Sequence, residues 1–165
     1  MRVIRRIALA GAAIVALLGI VAAAARFADG PIGPFPGGAM SGELVADAPP
    51  DWRAVGDTIE LQIRPSDPWS LRTYAIPHGG ELYVPSFHAA RRRWVPVALA
   101  DPRVLVRVDG RLYERTIEPV TDPALRAALA GEMATRHGYA ADGMVASDST
   151  WYFHLAPRRD TAGAP

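Results

Sequence analysis

The 165-residue chain contains no cysteine. This excludes disulfide frameworks, thiolate metal sites, cysteine nucleophiles and a lipid anchor on an N-terminal cysteine. Lysine is missing as well: all 18 basic residues are arginine, so neither a lysine Schiff base nor a lysine general base is available. The Gly-x-Ser-x-Gly elbow, the phosphate loop and the dinucleotide fingerprint are also lacking. His78 and His88 have no partner at metal-ligand spacing, and no metal site is expected. His154, beside Trp151 and Phe153 in the last strand, reads as a satisfied barrel residue. The chain as a whole carries a net charge of +1, but beyond residue 25 a positive surplus is lacking too. Residues 1–25 hold Arg2, Arg5 and Arg6 and no acid, so the remainder sets 15 arginines against 17 acids, a net charge of −2. That balance does not suit a general nucleic-acid binder.

What is present begins with a long apolar run. Residues 7–25 form an uninterrupted hydrophobic stretch behind Arg2, Arg5 and Arg6. At 1.5 Å per residue it spans roughly 28 Å, close to a bilayer core. We read residues 1–25 as a transmembrane anchor or uncleaved signal, although Ala23 and Ala25 also supply an A-x-A cleavage pattern. Arg5 and Arg6 resemble half of a twin-arginine export signal. The arginines should hold the N-terminus in the cytoplasm and send the rest across the inner (cytoplasmic) membrane, giving a single-pass protein with an extracytoplasmic (periplasmic) domain. Residues 26–50, rich in proline and glycine, read as a tether, and residues 158–165 as a disordered tail.

Between them, residues 51–157 show short alternating runs with turn signals. Ile59, Leu61 and Ile63 share one strand face, and Pro65 to Pro68 form a turn. A second strand over residues 71–77 meets a third over 81–87 through His78-Gly79-Gly80. A basic crossing follows, with Arg91, Arg92, Arg93 and Trp94, then a short turn or helix ending in Ala100-Asp101-Pro102. Val104, Val106 and Val108 mark a fourth strand, and Asp109-Gly110 turns it into a fifth at Leu112-Tyr113. Asp122 as N-cap, Pro123 at the first helical position, and Gly138 past the end predict a helix over Pro123–His137 with Leu125, Leu129 and Met133 on its buried stripe. Residues 150–156 form an aromatic last strand, and Trp52 is expected to pack on the core. The fold class is mainly β (β+α): a six-stranded β-barrel with one packed helix, preceded by a single transmembrane helix.

This order, together with Ser86 ending a strand, Trp94, Leu99-Ala100-Asp101-Pro102-Arg103-Val104 and Val120-Thr121-Asp122-Pro123, resembles the FMN-binding split-barrel superfamily. Within it, the chain is most similar to the deazaflavin-dependent nitroreductase-like branch. The resemblance covers about residues 58–156. It implies a homodimer with a flavin or deazaflavin, in some relatives haem, at the subunit interface. It also implies cofactor-binding roles for Arg72, Ser86, Arg91, Arg92, Arg93 and Trp94. The glycine that the branch usually has before its second strand, and its lysines, are missing here. On chemistry alone, three arginines beside a serine suit a phosphate, while a solvated loop or one facing anionic lipid is the alternative. Trp94 is open between covering a ring and packing. Two functions follow: a membrane-tethered FMN- or deazaflavin-binding protein and oxidoreductase, or a non-enzymatic accessory module that holds no cofactor.

Overall fold

The structure, a computed structural model, describes residues 2–45, 51–140 and 143–158. Helix α1 (Arg2–Ala25) contains a stretch, Val3–Ala25, long and apolar enough to cross a membrane, and among the described residues nothing buries it except at its last residue, Ala25.

Strands β1 (Glu43–Val45), β2 (Thr58–Ile63), β3 (Trp69–Tyr74), β4 (Ile76–His78), β5 (Glu81–Ser86), β6 (Arg103–Val108), β7 (Arg111–Pro119) and β8 (Trp151–Pro157) form one sheet. Its order is β3-β2-β6-β7-β8-β5-β4, every neighbouring pair antiparallel, with β1 added in parallel beside β7. Only Ala75 separates β3 from β4. The two are therefore one bent strand joining both ends of the sheet order, which curls the sheet into a barrel. With β3 and β4 counted together, six strands build the barrel, as the periodicity predicts, and β1 is an addition. The strand changes partner at Ala75: its amide donates to the Asp57 carbonyl (3.0 Å), one step beyond the Thr58–Tyr74 pair of β2 and β3, and Ile76 then pairs with Tyr83 of β5.

Alternation selects the core. Ile59, Leu61, Ile63, Leu82, Val84, Val104, Val106, Phe153 and Leu155 share one buried cluster with Trp52 and Trp94. Ile76, Tyr83 and Tyr152 pack on the other side of the sheet, against Leu129, Ala130 and Met133 of α3 (Pro123–His137). Strands β5 and β8 are thus buried on both faces. Only Trp151 of the aromatic triplet in β8 is exposed, at 39%, so Tyr152 and Phe153 add nothing to an outer apolar surface.

The local signals act as expected. Asp122 accepts from the Ala124 amide (3.0 Å), and Gly138 closes α3 at φ 70°. Asp109 and Gly110, at φ 50° and 75°, turn β6 into β7. Helix α2 (Trp94–Ala100) carries the chain across to β6.

The segment read as a tether is instead fixed to the barrel through residue 45, which corrects that expectation. Gly37 exchanges two backbone hydrogen bonds with Ser70 (2.9 and 3.0 Å), and the Met40 amide donates to Gln62 Oε1 (2.7 Å). Arg26 donates to the Pro68 carbonyl (2.6 Å) and pairs with Asp67. Proline and glycine do exclude regular structure here, but irregular backbone bonds to a strand edge as readily as a strand does. Residues 46–50 lie outside the described residues. The predicted tail begins with Arg158, which pairs with Glu114 and donates to the Val104 carbonyl (3.3 Å); residues 159–165 lie outside the described residues.

Candidate functional site

The third barrel strand ends at Ser86, on the same face as Leu82 and Val84. His88 then adopts the left-handed conformation (φ 52°, ψ 49°), and the Ala89 amide bonds to the Ser149 carbonyl (2.8 Å). This reversal starts a 3-10 turn (Ala89–Arg91) that leads into α2 and projects the arginines outward.

A cleft of about 620 Å³ lies between this turn, β3, the end of β5 and the segment from Gly33 to Pro36. All six residues singled out from sequence line it: Arg72, Ser86, Arg91, Arg92, Arg93 and Trp94. Ser86 is 3% exposed, and its Oγ has no hydrogen-bond partner among the described residues. Arg91, Arg92 and Arg93 are exposed and, among the described residues, form no salt bridge. Arg92 Nε donates to the Phe87 carbonyl (3.0 Å).

Arg72 differs. Its Nη2 donates to Glu60 Oε1 (3.0 Å), while Glu60 Oε2 accepts from Arg107 Nε (2.6 Å). Trp94 resolves toward packing. It is only 8% exposed, and its ring leans on Phe153 at 5.4 Å between centroids, although an edge still reaches the cleft.

Sequence reasoning missed Phe35, Pro36, Trp69 and Tyr74 of the lining. Phe35 and Pro36 lie in the proline-rich stretch, whose lack of periodicity carries no docking signal. Tyr74 accepts from the Tyr139 hydroxyl (2.8 Å), a contact across 65 residues. That bond and burial push the Tyr139 phenol upward. Among the described residues no three histidine, aspartate or glutamate side chains converge as a metal site. His154 is a structural residue. It stacks on Tyr83 (4.9 Å) with its Nε2 3.2 Å from Glu81, on the sheet face opposite Phe153 and away from the cleft.

No family model matches the chain, and no curated protein matches it in sequence. Its fold is similar to that of solved structures. A conserved hypothetical protein from Mycobacterium tuberculosis aligns with TM-score 0.54 and 16% identity, over 66% of this chain and 77% of that one. HutZ, the haem storage protein from Vibrio cholerae, gives TM-score 0.53 and 16% identity, over 66% and 86%. A FAD-binding protein from Mesorhizobium loti gives TM-score 0.50 and 18% identity, over 66% and 86%. Likeness at these identities establishes the split-barrel fold.

Proposed function

We propose that this chain is a membrane-tethered split-barrel protein that holds FMN or a deazaflavin by its phosphate in the cleft beside Ser86. The observation that carries this reading is the pairing of a buried, unpartnered Ser86 hydroxyl with three arginines that have no acid partner among the described residues. A buried polar atom without a partner is uncommon and calls for a physical reason. A phosphate supplies one once the Ser86 side chain turns from its buried position toward the cleft, since it accepts from a hydroxyl and from several guanidinium groups at once. The volume, about 620 Å³, suits a flavin-sized molecule, and Phe35, Trp69 and Leu71 give the cleft an apolar side.

Haem fits less well. Among the described residues the lining contains no histidine, cysteine or methionine, and only Tyr74 belongs to a residue type that ligates haem iron. A bound flavin-type group would supply hydride transfer. The chain's own part is to hold and shield it. Ser86 donates its hydroxyl proton, Arg91, Arg92 and Arg93 neutralise the phosphate, and the apolar side excludes water. The accessory-module reading draws on one observation: Arg72 is already neutralised by Glu60, which leaves three of the four lining arginines without an acid partner among the described residues.

Titration with FMN by fluorescence quenching tests the reading. Each charge-assisted bond should contribute roughly 1.5–3 kcal/mol, so Arg92→Ala weakens FMN binding on the order of ten- to a hundredfold. Arg72→Ala does the same if its guanidinium turns from Glu60 to the ligand. Riboflavin, lacking the phosphate, should bind the parent poorly and change little in either variant. Equal binding of FMN and riboflavin would sink the phosphate assignment.

The membrane part of the proposal rests on the apolar helix and its arginine flank. The full chain should stay with membranes through an alkaline carbonate wash, and protease should reach the barrel only from the outer side. Release into the wash, or protection on that side, would overturn it.

A further inference from the structure

Building on the phosphate-ligand reading above, we infer that the strap between α1 and β1 completes the ligand site, with Phe35 and Pro36 as its specificity-determining wall and Arg107 as the residue that positions that wall. The strap is closed on itself. The Gly38 amide donates to the Ala28 carbonyl (3.1 Å), and Ile32 and Phe35 exchange backbone hydrogen bonds of 3.1 and 3.0 Å. The Gly37–Ser70 pair then fixes it to β3, one residue before Leu71 and two before Arg72, both in the cleft lining.

Two glycines permit so close an approach. A Cβ on Gly37 would fall on the Gly30 carbonyl, and one on Gly30, at φ 81°, would fall on the Arg107 guanidinium. Arg107 itself gathers the strap. Its Nη1 donates to Asp29 Oδ1 (2.6 Å) and to the Ser41 carbonyl (3.1 Å), and its Nη2 to the Asp29 carbonyl (3.1 Å). Its Nε holds Glu60, whose other oxygen holds Arg72 of the cleft. One carboxylate is therefore shared between the arginine that pins the strap and an arginine of the ligand site. Asp29 sits at a pKa of about 2, lowered first by hydrogen bonds from the Ser41 hydroxyl and amide and then by Arg107, so the pin stays charged above that pH.

A wall that touches ligand and is separately pinned couples the two events. Ligand binding steadies the strap, and a docked strap tightens ligand by the same factor. The wall is apolar, so it favours a flat apolar ring at the end of the ligand away from its phosphate.

The test uses the full chain in detergent with FMN as probe, measuring affinity by fluorescence quenching and protease cleavage within residues 28–38. In the parent, FMN should slow that cleavage. Phe35→Ala should weaken FMN roughly tenfold, through lost contact with the ring, without speeding cleavage. Gly37→Ala and Arg107→Gln should weaken FMN at least as much and also speed cleavage, because they undock the strap. Should Gly37→Ala fail to fold, Phe35→Ala, at a half-buried loop position, still decides the matter. A parent that binds FMN, with variants that bind it equally and cleavage indifferent to FMN, overturns the strap inference alone. A parent that binds no FMN overturns the cofactor reading and the strap inference with it.

Discussion

Replacing Arg91, Arg92 and Arg93 together by alanine should weaken FMN binding by about a thousandfold or more, while the unfolding temperature stays within a few degrees of the parent. The first half follows from three charge-assisted contacts of roughly 1.5–3 kcal/mol each, discounted because neighbouring contacts to one phosphate do not add fully. The second half follows from exposure. All three side chains are exposed and, among the described residues, none has an acid partner to lose; the single bond from Arg92 to the Phe87 carbonyl is at the surface. Surface changes of this kind stay within about 0.5 kcal/mol each. Fluorescence titration and a circular-dichroism melt on one preparation measure both. Parent-like FMN affinity in the triple variant would place any phosphate elsewhere.

Phe153→Ala should have the largest effect on stability. Phe153 is fully buried, its ring lies 5.4 Å from that of Trp94, and its backbone pairs with Val84 on one side and Pro119 on the other. Removing a buried phenyl ring costs about 3–5 kcal/mol, the lost transfer energy plus the cavity left behind. A total stability of about 5–15 kcal/mol makes that loss severe. The melting temperature should fall roughly 10–25 °C. Because Trp94 leans on this ring and also edges the cleft, FMN affinity should fall with it. A shift of only two or three degrees would mean that the barrel interior is not packed as described.

The parts of this fold that sequence conveys are those set by neighbours along the chain. Helix α3 is legible because Asp122, Pro123 and Gly138 act within a turn of its ends, and the β6–β7 hairpin because Asp109 and Gly110 tolerate positive φ. Ser86 is placed correctly because alternation along β5 puts it on the face of Leu82 and Val84. The six candidates converge for a topological reason: the bent β3–β4 strand precedes β5, which sets Arg72 beside the crossing that carries the arginines.

What sequence does not convey depends on distant partners. The strap docks through Arg107, whose bond to Asp29 joins residues 78 apart, and no local pattern reports it. Arg115 is another case. It points inward between Tyr113 and Ile117 on β7, 8% exposed, with its guanidinium 5.2 Å from the Trp52 ring and 5.8 Å from Tyr113. A tryptophan contributed from ahead of the barrel makes that inward arginine tolerable, and alternation alone does not foresee it. Trp94 is likewise ambiguous along the chain, because the ring that supports it, Phe153, comes from the last strand.

The most direct measurement is flavin retention by the full chain, purified in detergent and dialysed against about 100 μM FMN, a concentration equivalent to roughly −5.5 kcal/mol of binding free energy. Visible absorption after dialysis should show retained FMN in proportion to protein, with bands displaced from those of the free flavin, and much less retention of riboflavin under the same conditions. A chain that retains neither FMN nor a deazaflavin at that concentration contradicts cofactor binding and leaves the accessory module as the function of this barrel.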